Sequence, residues 1–396
     1  MTISEEHWLQ PDGIDSILPA QAFVVESLRR ELLDSYQSWG YDLVIPPFLD
    51  YLPSLLTGSG TSLEQKTFKF VDPLTGKMVG IRADMTPQVA RIDAHELGAN
   101  VPVRLSYIGN VLHTSPDGFG GARSLLQLGV ELYGEEGVNS DVEVLMIMLN
   151  TLAIAGVENT HIDLGHVGIF RALARQAKLS DDQEIAMHDA LQRKAIADIQ
   201  DLVVRFELTD TQSSWFLKLI TLNGDESVLV DAVSLFEGID QELNAAIAYL
   251  QSVASEVKLH KPDLPLYFDL AELRGYHYHT GVVFAAFVPG HGRSIARGGR
   301  YDEIGKAFGR ARPATGFSTD LKTLVNLSAK QFDVASSKVY APYTSDRELQ
   351  TFIDSLRASG QSVVQGAEVG SEVMKMQGCG QQVVQQSGKW VVESLI

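Results

Sequence analysis

At 396 residues the chain is two to three times the usual domain size, so two or three separate cores are expected. Hydrophobic residues at 45% and charged residues at 21% are enough to build packed cores, which excludes a disordered chain. The net charge of −18 sets the mean surface field against phosphate backbones, and no apolar run reaches the ~18 residues of a membrane-spanning helix.

In chain order, Val25, Leu28, Leu32 and Tyr36 recur at helical spacing and predict an amphipathic helix over residues 20–38 that ends at Gly40. Short β-like runs follow, DLVIP, KTFKFVD and MVGIRAD, and then VRLSYIGNVLH and RSLLQLGVELYG, which together predict a mixed sheet with few intervening helices. The period turns helical over residues 139–157. Residues 169–260, rich in Ala, Leu, Gln and Asp, predict a helical insertion. Strand character returns with PLYFDLAELRGYHYHTGVVFAAF, then GGRYDEIG reads as a tight turn into a helix, and ATGFSTDLKTLVNL turns helical toward its end. Residues 328–337 read as a linker. The strand–helix–strand pattern of KVYAPY, DRELQTFIDSLRASG and QSVVQG predicts a small C-terminal α/β domain over 338–396, after a core spanning 1–330. The single cysteine, Cys379, leaves no internal disulfide and no cysteine-based zinc site, and the acidic start MTISEEHWLQPDG is unlike a secretory signal, so a cytoplasmic location is expected.

Three stretches concentrate polar chemistry. In RSLLQLGVELYG, strand parity places Gln127, Gly129 and Glu131 opposite Leu126, Leu128, Val130 and Leu132; Gln127 and Glu131 are then ~13 Å apart at ~3.3 Å per residue, with room over the glycine for a ligand. A solvated antiparallel face is the alternative. In IRADMT, strand alternation gives Arg82, Asp84 and Thr86 a common face, and the two stripes together suit an ammonium group or an imidazole N–H. In LRGYHYHTG, Arg274 can clamp a carboxylate, while Tyr278 and His279 point to opposite faces if the strand is regular. The two histidines of this stretch have no third ligand at metal-site spacing, so no metal and no cofactor are expected. GFGGAR, residues 118–123, lacks the ending of a phosphate loop and reads as a flexible hairpin or lid.

The order PDGIDSILP, IRADMT, RSLLQLGVELYG, LRGYHYHTG, GGRYD resembles the class II histidyl-tRNA synthetase core, whose versions read approximately LRPEGT, REFxQxGxExxG, LRGLDYYTG and GGRYD. The resemblance covers about residues 10–325 and implies an α+β fold, a class II synthetase-like antiparallel sheet with a helical insertion. It implies a histidine pocket in which Asp84, Thr86 and Gln127 hold the α-ammonium, Glu131 meets the imidazole and Arg274 takes the carboxylate. Tyr278, His279 and Tyr301 enclose the ring. His279 stands where that family has a tyrosine, and Asp84 where it has a glutamate.

The synthetase reaction also needs cations on the α-phosphate. The motif 2 positions for arginine and glutamate are His113 and Ser115, and in motif 3 Thr323 replaces the arginine and Asp320 the glycine. Each lost donor is worth roughly 3 to 4 kcal/mol in the transition state, so two losses amount to about 10⁴-fold or more. Such a pocket without ATP clamps, with the GYHYHTG spelling, is similar to the regulatory-subunit family of ATP phosphoribosyltransferase. That resemblance implies a chain with no catalytic residues of its own. It implies L-histidine as ligand, a short-form catalytic subunit as partner, and a homodimer within a hetero-octamer. It also implies no membrane or tRNA partner. An active histidyl-tRNA synthetase and another adenylate-forming paralogue are the alternatives.

Overall fold

A computed structural model of the chain describes residues 9–57, 61–116, 121–272, 275–276, 278–332 and 338–395. These divide into two compact units, Met1–Lys330 and Gln331–Ile396. The larger begins with α1 (Pro19–Ser38), which buries Val25, Leu28, Leu32 and Tyr36 and starts with a proline in its first turn, where no N–H is missed. Gly40, at φ 83°, turns the chain into β1 (Asp42–Leu43). Next come β2 (Leu49–Tyr51), α2 (Leu52–Leu56), α3 (Thr61–Lys66), β3 (Phe68–Val71) and β4 (Met78–Ile81); β2, β4 and β3 make a small antiparallel sheet.

β4 stops at Ile81, so the strand predicted through Thr86 is corrected. Thr86 opens α4 (Thr86–Arg91), with Pro87 in the first turn, and a single π-helical stretch, Ile92–Leu97, extends it. The long hairpin of β5 (Val103–Leu112) and β6 (Ser124–Tyr133) then leads to α5 (Val138–Ile154) and β7 (His161–His166). The insertion follows as α6 (Val167–Gln176), α7 (Asp181–Gln192), α8 (Ile196–Arg205), α9 (Asp210–Leu219), the two-residue β8 (Asn223–Gly224), α10 (Ser227–Phe236) and α11 (Gln241–His260). The chain returns through β9 (Leu266–Asp269), β10 (Val282–Phe287), β11 (Ala296–Arg300), β12 (Ala314–Asp320) and α12 (Leu321–Leu327).

Two further expectations change. Gly298 and Gly299 lie inside β11 instead of in a turn. The strand expected through LRGYHYHTG is broken: Gly275 has φ 72°, and the N–H groups of Tyr278 and His279 both donate to Gly275 O at 2.8 Å.

The nine-stranded sheet runs β1-β5-β6-β12-β11-β10-β7-β9-β8, antiparallel except for the β1–β5 and β7–β9 pairs. Helices α1, α5 and α12 pack on one face, where the Tyr36 ring meets Phe317 edge-on at 6.5 Å and its hydroxyl bonds Thr151 at 3.0 Å. The other face is opened by small residues. Its register rows read Glu131, Gly316, Gly299, Val283 and Gly129, Ser318, Arg297, Ala285, Asp163. Both faces of β6 are buried, so its polar face is an interior surface and not a solvated one.

The smaller unit has a four-stranded sheet of order β14-β13-β15-β16, from β13 (Lys338–Pro342), α13 (Arg347–Ala358), β14 (Val363–Gly366), α14 (Ser371–Met376), β15 (Cys379–Gln386) and β16 (Lys389–Ser394). Leu349 and Ile353 of α13 pack on Val339, Ala341 and Val383. The last three elements add to the expected strand–helix–strand. Among the described residues no helix is long and apolar enough to cross a membrane.

Candidate functional site

The site is built around one buried carboxylate. Glu131, on β6, is 1% exposed and has Tyr107 of β5 and Tyr301, just beyond β11, against its two carboxylate oxygens. The Tyr107 hydroxyl donates to Glu131 Oε1 at 2.8 Å and the Tyr301 hydroxyl donates to Oε2. Burial pushes the carboxyl up to about 8, against the opposing pull of those two hydrogen bonds. Burial also raises both tyrosine hydroxyls well above 10, so they remain donors.

Gly316 makes room for this carboxylate. A Cβ there would stand 1.6 Å from Glu131 Oε2. The space over Gly129, expected for a ligand, is instead filled by protein: a Cβ there would meet Phe317 O at 2.2 Å and the Tyr107 hydroxyl at 2.7 Å.

Beside Glu131, Tyr301 stacks on Tyr278 with centroids 4.9 Å apart, and Tyr278 meets His279 edge-on at 5.3 Å. Because the segment is a turn, Tyr278 and His279 reach the same cavity, which corrects the opposite-face expectation. The buried Tyr278 hydroxyl has no hydrogen-bond partner among the described residues.

At the other end, Asp84 Oδ1 accepts from Thr86 N–H at 3.0 Å and from Gln127 Nε2 at 2.8 Å, and Gln127 Oε1 accepts from Met85 N–H at 2.9 Å. The Thr86 hydroxyl is 3.2 Å from that of Tyr107 and so joins the two ends. Asp84, Thr86, Glu131, Tyr278, His279 and Tyr301 line a cavity of about 300 Å³. Gln127 is not in that lining; it braces Asp84 from behind. Arg274 lies outside the described residues, as do residues 118–120 of the expected lid.

Tyr107 is not among the residues that the sequence pattern singles out. A signal for it exists, since β5 pairs it with Gly129, between the two polar residues of β6. Lys66, Asp163, Glu272 and Arg297 extend the cavity wall and also escape the sequence pattern, although Glu272 and Arg297 directly precede LRGYHYHTG and GGRYD. No group of three metal-ligating side chains is assembled among the described residues.

The substituted ATP-clamp positions, and Arg123, which the motif 2 pattern retains, bond to neighbouring protein groups. His113 Nε2 bonds Ala83 O at 2.9 Å. Arg123 donates from Nε to His113 O at 3.0 Å and from Nη1 to Asp12 O at 3.2 Å. Asp320 caps α12 through Thr323 N–H at 3.0 Å and accepts from Leu126 N–H at 2.8 Å.

Comparison with known proteins agrees with this layout. Residues 13–324 match the family model for histidyl-tRNA synthetase, and residues 336–393 match that for the ATP phosphoribosyltransferase subunit HisZ C-terminal domain. The ATP phosphoribosyltransferase regulatory subunit of Thioalkalivibrio sulfidiphilus is 50% identical over 98% of each chain, and that of Pseudomonas entomophila is 50% identical with the same coverage. Among solved structures, an ATP phosphoribosyltransferase regulatory subunit/histidyl-tRNA synthetase from Bacillus halodurans superposes with a TM-score of 0.82 at 25% identity, covering 93% of this chain and 96% of that one. Histidyl-tRNA synthetase from Nostoc sp. PCC 7120 shares the fold at a TM-score of 0.78 and 19% identity, over 98% and 97% of the two chains. With a synthetase-like core and full-length identity of this order, the chain belongs to the family of ATP phosphoribosyltransferase regulatory subunits.

Proposed function

We propose that the chain binds L-histidine in the Glu131 cavity, activates a short-form ATP phosphoribosyltransferase catalytic subunit, and conveys feedback inhibition by histidine to the first step of histidine biosynthesis. The observation that carries the reading is the pairing of a buried carboxylate and stacked tyrosines with an Asp84–Thr86–Gln127 cluster across one small cavity. Glu131 suits an imidazole N–H, Asp84 and Thr86 suit an α-ammonium, and Tyr278 and His279 close over the ring. Arg274 takes the carboxylate in this reading. The substituted clamp positions, His113, Thr323 and Asp320, speak against adenylation and so against tRNA charging.

Histidine regulates in this scheme only by binding two states of the complex unequally; a coupling of ~1 to 3 kcal/mol is enough for useful inhibition. The chain assembles as a homodimer within a hetero-octamer in the cytoplasm. Support for self-association comes from the exposed apolar side chains Leu43, Ile45 and Phe48 in the stretch between α1 and the small sheet. The test is phosphoribosyl transfer to ATP by a short-form catalytic subunit with and without the chain. Stimulation that added histidine reverses supports the proposal; an unchanged rate, with complex formation verified in the same sample, refutes it.

A further inference from the structure

The segment between β9 and β10 delivers Tyr278 and His279 to the cavity, and its backbone is held by the helical insertion. On α6, Arg171 Nη2 donates to Tyr276 O at 2.7 Å and to His279 O at 2.8 Å, while its guanidinium lies 4.7 Å from the centre of the Tyr276 ring. The Tyr276 side chain points away from the cavity into the insertion. It is 4% exposed, with ring centroids 5.3 Å from Phe170 of α6 and 4.8 Å from His188 of α7, and its hydroxyl donates to Glu184 of α7 at 2.5 Å. Where the segment begins, Lys194, just beyond α7, pairs with Asp269 at 2.6 Å, and Asp269 caps the N–H of Ala271.

Tyr276 and Tyr278 thus flank one backbone turn, the first keyed into α6 and α7 and the second stacked on Tyr301. The turn is closed by the Tyr278 and His279 N–H groups, both on Gly275 O at 2.8 Å. Gly275 needs φ 72°, and a Cβ there would strike His279 Nδ1 at 2.5 Å. Arg171, bonded to the carbonyls of both Tyr276 and His279, links the position of Tyr276 to that of the cavity residues.

We propose that Arg171 and Tyr276 are positioning residues that latch the ligand-binding turn to the helical insertion, so that α6 and α7 set histidine affinity and respond when the cavity fills. The proposal deepens, and rests on, the reading of the cavity as a histidine site. Arg171 touches no ligand in this arrangement; it acts through the two carbonyls.

The test uses the full chain and the variants Arg171→Ala, Arg171→Lys and Tyr276→Phe, with Arg175→Ala as control. Arg175 is on the same helix but pairs with Asp240 and Glu242. Two readouts are taken: calorimetric histidine affinity, and hydrogen exchange of the ligand-free chain at the Tyr278 and His279 amides. Loss of two charge-assisted hydrogen bonds predicts about tenfold or more weaker binding in Arg171→Ala. Arg171→Lys should recover part of that loss, Tyr276→Phe should lose a few-fold, and Arg175→Ala should match wild type. Exchange at the two amides accelerates in Arg171→Ala while β10 stays protected. Unchanged exchange in Arg171→Ala, or an equal affinity loss in Arg175→Ala, overturns the latch. A wild-type chain that binds no histidine overturns the site reading and the affinity claim with it, and the ligand-free exchange keeps that failure separate from failure of the latch.

Discussion

Replacing Glu131 by glutamine is expected to raise the stability of the empty chain at alkaline pH while weakening its hold on histidine. The folded carboxyl titrates near 8 against 4.5 for an ordinary solvated glutamate, chiefly because burial strips its water. At ~1.4 kcal/mol per tenfold, ionising it inside the empty cavity costs roughly 5 kcal/mol, an order-of-magnitude figure. The folded chain keeps a proton that the unfolded chain releases, so this group's favourable contribution is complete below about pH 4.5 and is lost as pH rises through 8. Wild type should therefore lose stability relative to Glu131→Gln between those limits, by up to ~1.4 kcal/mol per pH unit. Urea denaturation of both proteins across that range measures the difference, in which groups common to the two cancel. Parallel stability curves would refute the reasoning.

The same proton shapes ligand binding. At neutral pH the cavity holds a protonated Glu131, and free histidine has a neutral imidazole below ~6.5 only as a minor form. Carboxyl and imidazole then share one proton on docking with none exchanged with solvent. Affinity should peak between ~6.5 and about 8 and fall by up to tenfold per pH unit on either side. Calorimetry in two buffers of different ionisation enthalpy checks this: equal heats near neutrality are expected, and an affinity flat across the range contradicts the shared proton.

Other outcomes follow from the packing. Gly316→Ala drives a methyl into Glu131 Oε2 and should cost ~1 to 3 kcal/mol by denaturation while abolishing measurable histidine binding. Arg300→Ala leaves Asp141, its partner at 2.9 Å and 1% exposed, without a cation and with the Tyr249 hydroxyl as its remaining side-chain donor among the described residues, and should destabilise the core by ~3 to 5 kcal/mol in the same assay. Ile45→Asp, at a residue 78% exposed, should leave the fold intact by circular dichroism but shift the chain toward monomer in light scattering.

The regular parts of the fold are legible in the sequence because their pattern is local. Helix α1 buries the four residues its spacing selects, and parity on β6 correctly places Gln127 and Glu131 on one face. The site is less legible where the backbone leaves regular geometry. Alternation carries IRADMT past the true strand end, although Thr86–Pro87 is a helix start: Pro87 lacks the N–H that a strand needs and fits a first helical turn. In LRGYHYHTG the turn at Gly275 cancels parity and brings Tyr278 and His279 together, which no period of two predicts. Tyr107 escapes because its role depends on cross-strand register with Gly129. In the smaller unit, β15 escapes because QQVVQQ has no apolar alternation; its glutamines bond Glu393 and Gln361 instead of packing. The latch from Arg171 to residue 279 spans 108 positions in sequence and has no local signature.

The most direct test of the central claim is phosphoribosyl transfer by the short-form catalytic subunit, titrated with histidine in the presence of wild-type chain or of Glu131→Gln. The account predicts that both chains stimulate transfer and that histidine reverses the stimulation by wild type at concentrations that leave the variant complex active. Equal inhibition of the two complexes would place the regulatory histidine outside the Glu131 cavity and contradict the account.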